Sequence, residues 1–138
     1  MGAGDYLHWQ HQHRRKIADL TVLAATDDTV DVLTVKSANH RIYIQRIVAS
    51  VTTYSAVTWT FQDDAGTPVL LAVLSIPAAQ ATAFGDEGTV VWDFGPVGTP
   101  LSTGTNLDFM VSATGAAGRV HIEGYEVNQN VVAAATTN

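Results

Sequence analysis

The chain has no cysteine, so neither a disulfide framework nor a thiolate metal site is open to it. Charge is scarce. Asp, Glu, Lys and Arg make up 14% of the residues, where an average soluble domain carries roughly 25%. Surface without charge is either solvated by threonine, serine and glutamine or covered by sister subunits, and cover by subunits is the expectation. No apolar run approaches the roughly 20 residues of a membrane span. The start is polar and lacks the apolar stretch of a signal peptide. These absences predict a soluble chain with no membrane partner, not exported by a signal-peptide route.

Catalytic patterns are missing too. There is no Gly-x-Ser-x-Gly elbow, and the glycines of 95–104 do not form a phosphate-binding loop. Asp93-Phe94-Gly95 matches a kinase tripeptide by letter alone and reads as a strand end. His40 falls in a turn. His121 alternates out of phase with Val120 and Ile122, which places it on an exposed face. The acid pairs Asp27-Asp28, Asp63-Asp64 and Asp86-Glu87 lack the ladder of oxygen ligands of a calcium loop and read as turn chemistry. Nothing marks one of them as the proton donor of a glycosidase pair. The chain is expected not to be an enzyme and to need no cofactor.

What is present divides near residue 17. The lead carries His8, His11 and His13, the cations Arg14, Arg15 and Lys16, and the aromatics Tyr6 and Trp9. Its cations against Asp5 give +2, whereas residues 17–138 hold four cations against twelve acids, −8. Phosphates need a basic footprint, so the acidic body is a poor partner for nucleic acid, and three adjacent cations are a thin one. The histidine spacing would let two or three imidazoles meet on one ion, particularly about a threefold axis. However, only Asp5 accompanies them, and an arm does not preorganise ligands. A docking arm for a partner or a neighbouring subunit, using Tyr6, Trp9, Arg14, Arg15 and Lys16, is the preferred reading, and no metal is expected. Aromatics set in a partner's pocket often dominate binding energy.

The rest of the 138-residue chain reads as strand after strand, with enough length for one domain and a core. Apolar runs at 20–25 and 30–36 are each closed by turn residues. Arg41–Thr53 is β-branched, and its apolar parity slips from Ile42 and Ile44 to Ile47, Ala49 and Val51, which predicts a β-bulge near Gln45-Arg46. Val57, Trp59 and Phe61 alternate with Thr58, Thr60 and Gln62. Val69–Leu74 is continuously apolar, the pattern of a strand covered on both faces. Ile76–Gly88 reads as a loop with a helical turn over 78–84. Val90, Trp92 and Phe94 share a face, and Gly95–Pro100 is expected to form no ladder. Leu107, Phe109, Val111 and Ala113 alternate, as do Val120 and Ile122. Trp59, Phe61, Trp92, Phe94 and Phe109 are core candidates, leaving Tyr43, Tyr54 and Tyr125 for the surface.

About eight strands without a long amphipathic helix predict an all-β, single-domain β-sandwich. That number favours a jelly roll over a seven-stranded immunoglobulin-like sandwich. The expected layout is an N-terminal arm over 1–17, a jelly-roll-like domain over 18–127 and a flexible tail over 128–138.

The segments Arg41-Ile-Tyr-Ile-Gln-Arg-Ile-Val48 and Trp59-Thr-Phe-Gln-Asp-Asp-Ala-Gly-Thr-Pro68 resemble small structural proteins of tailed bacteriophages. So do Trp92-Asp-Phe-Gly95, Gly98-Thr-Pro-Leu101 and Gly118-Arg-Val-His-Ile-Glu-Gly-Tyr125. The likeness spans residues 20–127 and is to the β-rich virion proteins of the decoration, or cement, type. The basic lead lies outside it. The resemblance implies a homotrimer on the outer capsid surface, bound to the major capsid protein and assembled in the host cytoplasm. A second class fits the same fold: a head-fibre or receptor-binding module that takes carbohydrate.

Overall fold

A computed structural model describes residues 13–79 and 88–129, and every element among them is a β-strand. The strands are β1 (His13–Val22), β2 (Thr29–Leu33), β3 (His40–Thr53), β4 (Val57–Asp63), β5 (Leu70–Ile76), β6 (Thr89–Asp93), β7 (Thr99–Pro100), β8 (Leu107–Val111) and β9 (Ala117–Asn128). One sheet has the order β1-β9-β3-β6, with β7 also on β3; the other has the order β2-β8-β4-β5.

The pairings are nested. β1 pairs β9, β2 pairs β8, β3 pairs β6 and β4 pairs β5, all antiparallel. The chain is thus one long ribbon, doubled back between β4 and β5 and wrapped so that successive ribbon segments fall in alternate sheets. This is the jelly-roll arrangement. β3–β9 and β8–β4 pairing then closes each sheet.

Alternation decides which side of each strand is buried. β4 buries Val57, Trp59, Phe61 and Asp63, and β8 buries Leu107, Phe109 and Val111. Phe61 lies opposite Phe109 in register, their centroids 5.1 Å apart, and Trp59 meets Phe109 edge-on at 5.6 Å. From the facing sheet Ile42, Ile44, Ile47, Ala49, Val120 and Ile122 complete the core, with Trp92 and Phe94 packed against it. Truncating Phe61 to Ala here costs about 4 kcal/mol.

The bulge in β3 stands where the parity slip put it, as a register shift between Ile44 and Arg46. A second shift lies between Val51 and Thr53. Each has a glycine of β9 beside it: Gly124 opposite Ile44 and Gly118 opposite Val51. A Cβ at Gly124 would run into the Tyr43 carbonyl oxygen, and one at Gly118 into that of Ser50. The bulged backbone of β3 approaches β9 too closely for any side chain there.

Three expectations change. The division at residue 17 falls inside β1, because Arg14–Lys16 pair in register with Glu126, Tyr125 and Gly124. Two residues of 95–100 do join a ladder: Thr99 and Pro100 sit opposite Ile44 and Tyr43. Pro100 is tolerated because β7 is paired on one side only. And β5 is not covered on both faces. It is an edge strand with Leu70 59% and Val73 45% exposed. The expected helical turn over 78–84 and the tail beyond 129 lie outside, or mostly outside, the described residues.

Candidate functional site

Of the lead's candidates, Tyr6, His8, Trp9 and His11 lie outside the described residues, and so does the side chain of His13. The three cations are placed on β1, and they differ. Arg14 and Arg15 are exposed, whereas Lys16 is held. Its Nζ lies 3.0 Å from Glu126 Oε1 and donates to the Thr34 carbonyl at 2.9 Å. Glu126 is 1% exposed. Its carboxylate also receives the backbone N–H of Lys36 and contacts Nδ1 of His40. The group ties β1, β9 and the β2–β3 connection together. Lys16 is therefore a structural anchor.

The outer face of the first sheet carries a ladder of charges. His121 Nδ1 meets Asp19 Oδ1 at 2.6 Å and its Nε2 meets Glu123 Oε1 at 3.3 Å; Arg15 reaches Glu123 at 3.7 Å. Hydrogen bonds with Asp19 and Glu123 raise the His121 pKa above its usual value. Ser50, Asp19 and His121 line one shallow hollow of about 230 Å³ with Arg119, Thr21 and Val48. Serine, histidine and aspartate together suggest a charge relay, but the geometry denies it. The Nε2 that would have to face a nucleophile is turned to Glu123, and the Ser50 hydroxyl pairs with Thr89 at 3.1 Å.

Tyr43 and Tyr125 lie opposite each other on this face and stack at 5.0 Å, 2° from parallel. The Tyr125 hydroxyl donates to the Val97 carbonyl at 2.6 Å. Burial, then the neighbouring Tyr43, raises its pKa. Two of the three surface tyrosines thus spend a ring face on each other instead of presenting it to a sugar.

The acids of the second sheet do two jobs. Asp63 is fully buried and accepts backbone N–H groups from Ala65 (3.2 Å), Val69 (2.9 Å) and Ser102 (2.8 Å). Burial pushes its carboxyl up, but these donors outweigh that and leave it below the usual range. It organises the β4–β5 turn and pins the stretch after β7 to it. Asp31, Asp64 and Asp108 bring carboxylate oxygens within 4.8 Å of one another. Asn106 Nδ2 donates to Asp31 at 3.3 Å and Asp64 at 3.1 Å. Burial, then the hydrogen bond and charge of Asp31 and the charges of Asp64 and Asp63, push Asp108 up to about 7. Oxygen donors of this kind suit a hard divalent cation, and Asp108 Oδ1 is buried without a hydrogen-bond partner among the described residues. Asp27 and Asp28 lie exposed before β2; Asp86 and Glu87 fall outside the described residues.

Sequence reasoning passed over Glu126 and gave His40 and Asp63 only a place in turns. A signal existed: Glu126 has the parity of Val120 and Ile122, and Asp63 that of Trp59 and Phe61. A lone acid in core phase at the end of a strand marks a buried, hydrogen-bonded carboxylate. The Asp31–Asp64–Asp108 cluster carries no such mark, because β2, the β4–β5 turn and β8 come together only through topology.

No family model matches the chain, and no curated protein matches it. Among solved structures it is similar to a chain of the Bacillus endospore appendages, described as a novel family of disulfide-linked pili. Identity is 11%, coverage is 84% of this chain and 86% of that one, and the TM-score is 0.43. It is also similar to a chain in the structure of infectious bursal disease virus, Gx strain, at 11% identity and TM-score 0.27. There the match covers 85% of this chain but 37% of the viral one. No helix among the described residues is long and apolar enough to cross a membrane.

Proposed function

We propose that this chain is a non-enzymatic structural subunit of a phage virion, a decoration protein that binds the outer surface of the head as a homotrimer and stabilises it. The major capsid protein is its partner. The observation that supports this is how the lead is rooted. β1 is fixed to the sandwich through Lys16 and buried Glu126, and immediately before that anchor Arg14 and Arg15 stand exposed. The segment with Tyr6 and Trp9 joins the body there. Such an attachment lets a basic, aromatic segment pull on a partner without unravelling the sheet. Three linked copies would multiply a modest single contact. Within the body Lys16, Arg41, Asp63, His121 and Glu126 are engaged with other charges or with backbone, as expected of a spacer that does no chemistry.

Sedimentation of the purified chain is expected to give a multiple of three copies, and a single copy at micromolar concentration overturns the trimer. Deleting residues 2–12 leaves β1 intact and is expected to weaken binding to undecorated heads of its own phage at least tenfold. Unchanged binding removes the lead from the mechanism.

A further inference from the structure

Among the described residues the two sheets have four edge strands longer than two residues, β1 and β6 on one and β2 and β5 on the other. Three of them are guarded as edges usually are, by charge: Arg14, Arg15, Lys16 and Asp19 on β1, Asp31 on β2 and Asp93 on β6. β5 is not. Its seven residues, Leu-Leu-Ala-Val-Leu-Ser-Ile, hold no charge, and Leu70, Val73 and the adjoining Val69 are exposed. Its outward Leu71 and Val73 are apolar as its inward residues are, and among the described residues it is paired on one side only, with β4. Pro68 and Pro77 bracket it, so the open ladder begins and stops with β5 itself.

From these observations we infer that β5 is a self-association edge, occupied by β5 of a second copy running antiparallel about a twofold axis. Charge selects the occupant. Docking β5 against β1, β2 or β6 of a neighbour would press a Lys, Arg or Asp against Leu70 and Val73 and take it out of water. Docking it against itself buries no charge. Main-chain hydrogen bonds then join two four-stranded sheets into one, and the isologous contact closes on itself. Val73, the middle residue of the strand, meets Val73 of the second copy. This contact stands apart from the threefold association and the capsid binding proposed above.

The missing cysteine makes the test clean, because one introduced thiol can link only to its own copy. Val73→Cys is expected to give a disulfide-linked pair of chains under mild oxidation, while Val91→Cys on the exposed edge β6 gives none. Val73→Lys, at an outward position, is expected to halve the mass seen by sedimentation relative to the unaltered chain. If V73C stays single-chain, if V91C links equally well, or if V73K leaves the mass unchanged, the inference is overturned. The mass of V73K itself reports on the trimer: three copies keep that reading, and one copy removes it while leaving the β5 contact standing.

Discussion

Lys16 on β1 and Glu126 on β9 lie 3.0 Å apart, one flexible cation set against a carboxylate that solvent does not reach. Removing the cation leaves a buried negative charge with His40 and one backbone N–H for partners. Lys16→Met is expected to lower stability by about 2 kcal/mol, less than a fully buried pair because the lysine retains some solvent contact. The loss should be local as well as global. Proteolysis is expected to cut at Arg14 and Arg15 sooner in the variant, as β1 opens. Thermal unfolding with timed digestion checks both, and an unaltered cutting rate would show that β1 is held by its backbone ladder alone.

Asp63 is the buried knot of the β4–β5 turn. Asp63→Ala strands the N–H groups of Ala65, Val69 and Ser102, and a loss of about 3 kcal/mol is expected. Asp63→Asn keeps the shape with one less acceptor and should recover part of that. Denaturant titration of the two variants separates the cases, and equal loss in both would mean that the charge, more than the geometry, stabilises the turn.

The pH dependence has a definite sign. Asp63, held below its usual range, contributes stability above about pH 4 that is lost as pH falls through its folded value. His121, held above its usual range, contributes stability that is present below its unfolded value and is lost as pH rises through the folded one. Asp108, pushed up to about 7, keeps a proton in the folded state that the unfolded chain releases, so stability declines between about pH 4 and 7. The melting temperature should therefore be highest near pH 4 and fall toward pH 8. Asp108→Asn should flatten the lower part of that slope and His121→Gln the upper part. A melting temperature that rises over this interval would contradict the assignment.

Gly118 and Gly124 lie where β3 bulges against β9. Alanine at either position has to displace a carbonyl of β3. Each substitution is expected to cost about 2–4 kcal/mol, at the upper end of single-residue effects. Gly66, with open space around its Cβ position, should tolerate alanine at far smaller cost. Parallel melts of the three variants check the contrast.

The fold class was legible because period-2 alternation is a local property. Trp59, Phe61 and Phe109 declare their faces within a few residues, and the slip at Gln45–Arg46 declares the bulge. Strand order was not legible. Nothing in β1 points to β9, more than ninety residues away, until both sheets close. Val69–Leu74 misled for a physical reason. An apolar strand reads the same whether its cover comes from its own chain or from another. The charged anchor of β1 was hidden differently: the sequence shows Lys16 beside Arg15, and only the register with β9 separates a tethered cation from a free one.

The nesting of strand pairs has a consequence in time. The innermost pair, β4 and β5, can zip as soon as both have left the ribosome, whereas β1 must wait for β9 to be made. Long-range closure of this kind is the slow step in β folds. Until it happens the lead hangs on an unpaired strand and Glu126 has no lysine. A chain caught before its last strand docks would hold its basic lead on nothing firm, so completion of the chain and rooting of the lead are set by one event.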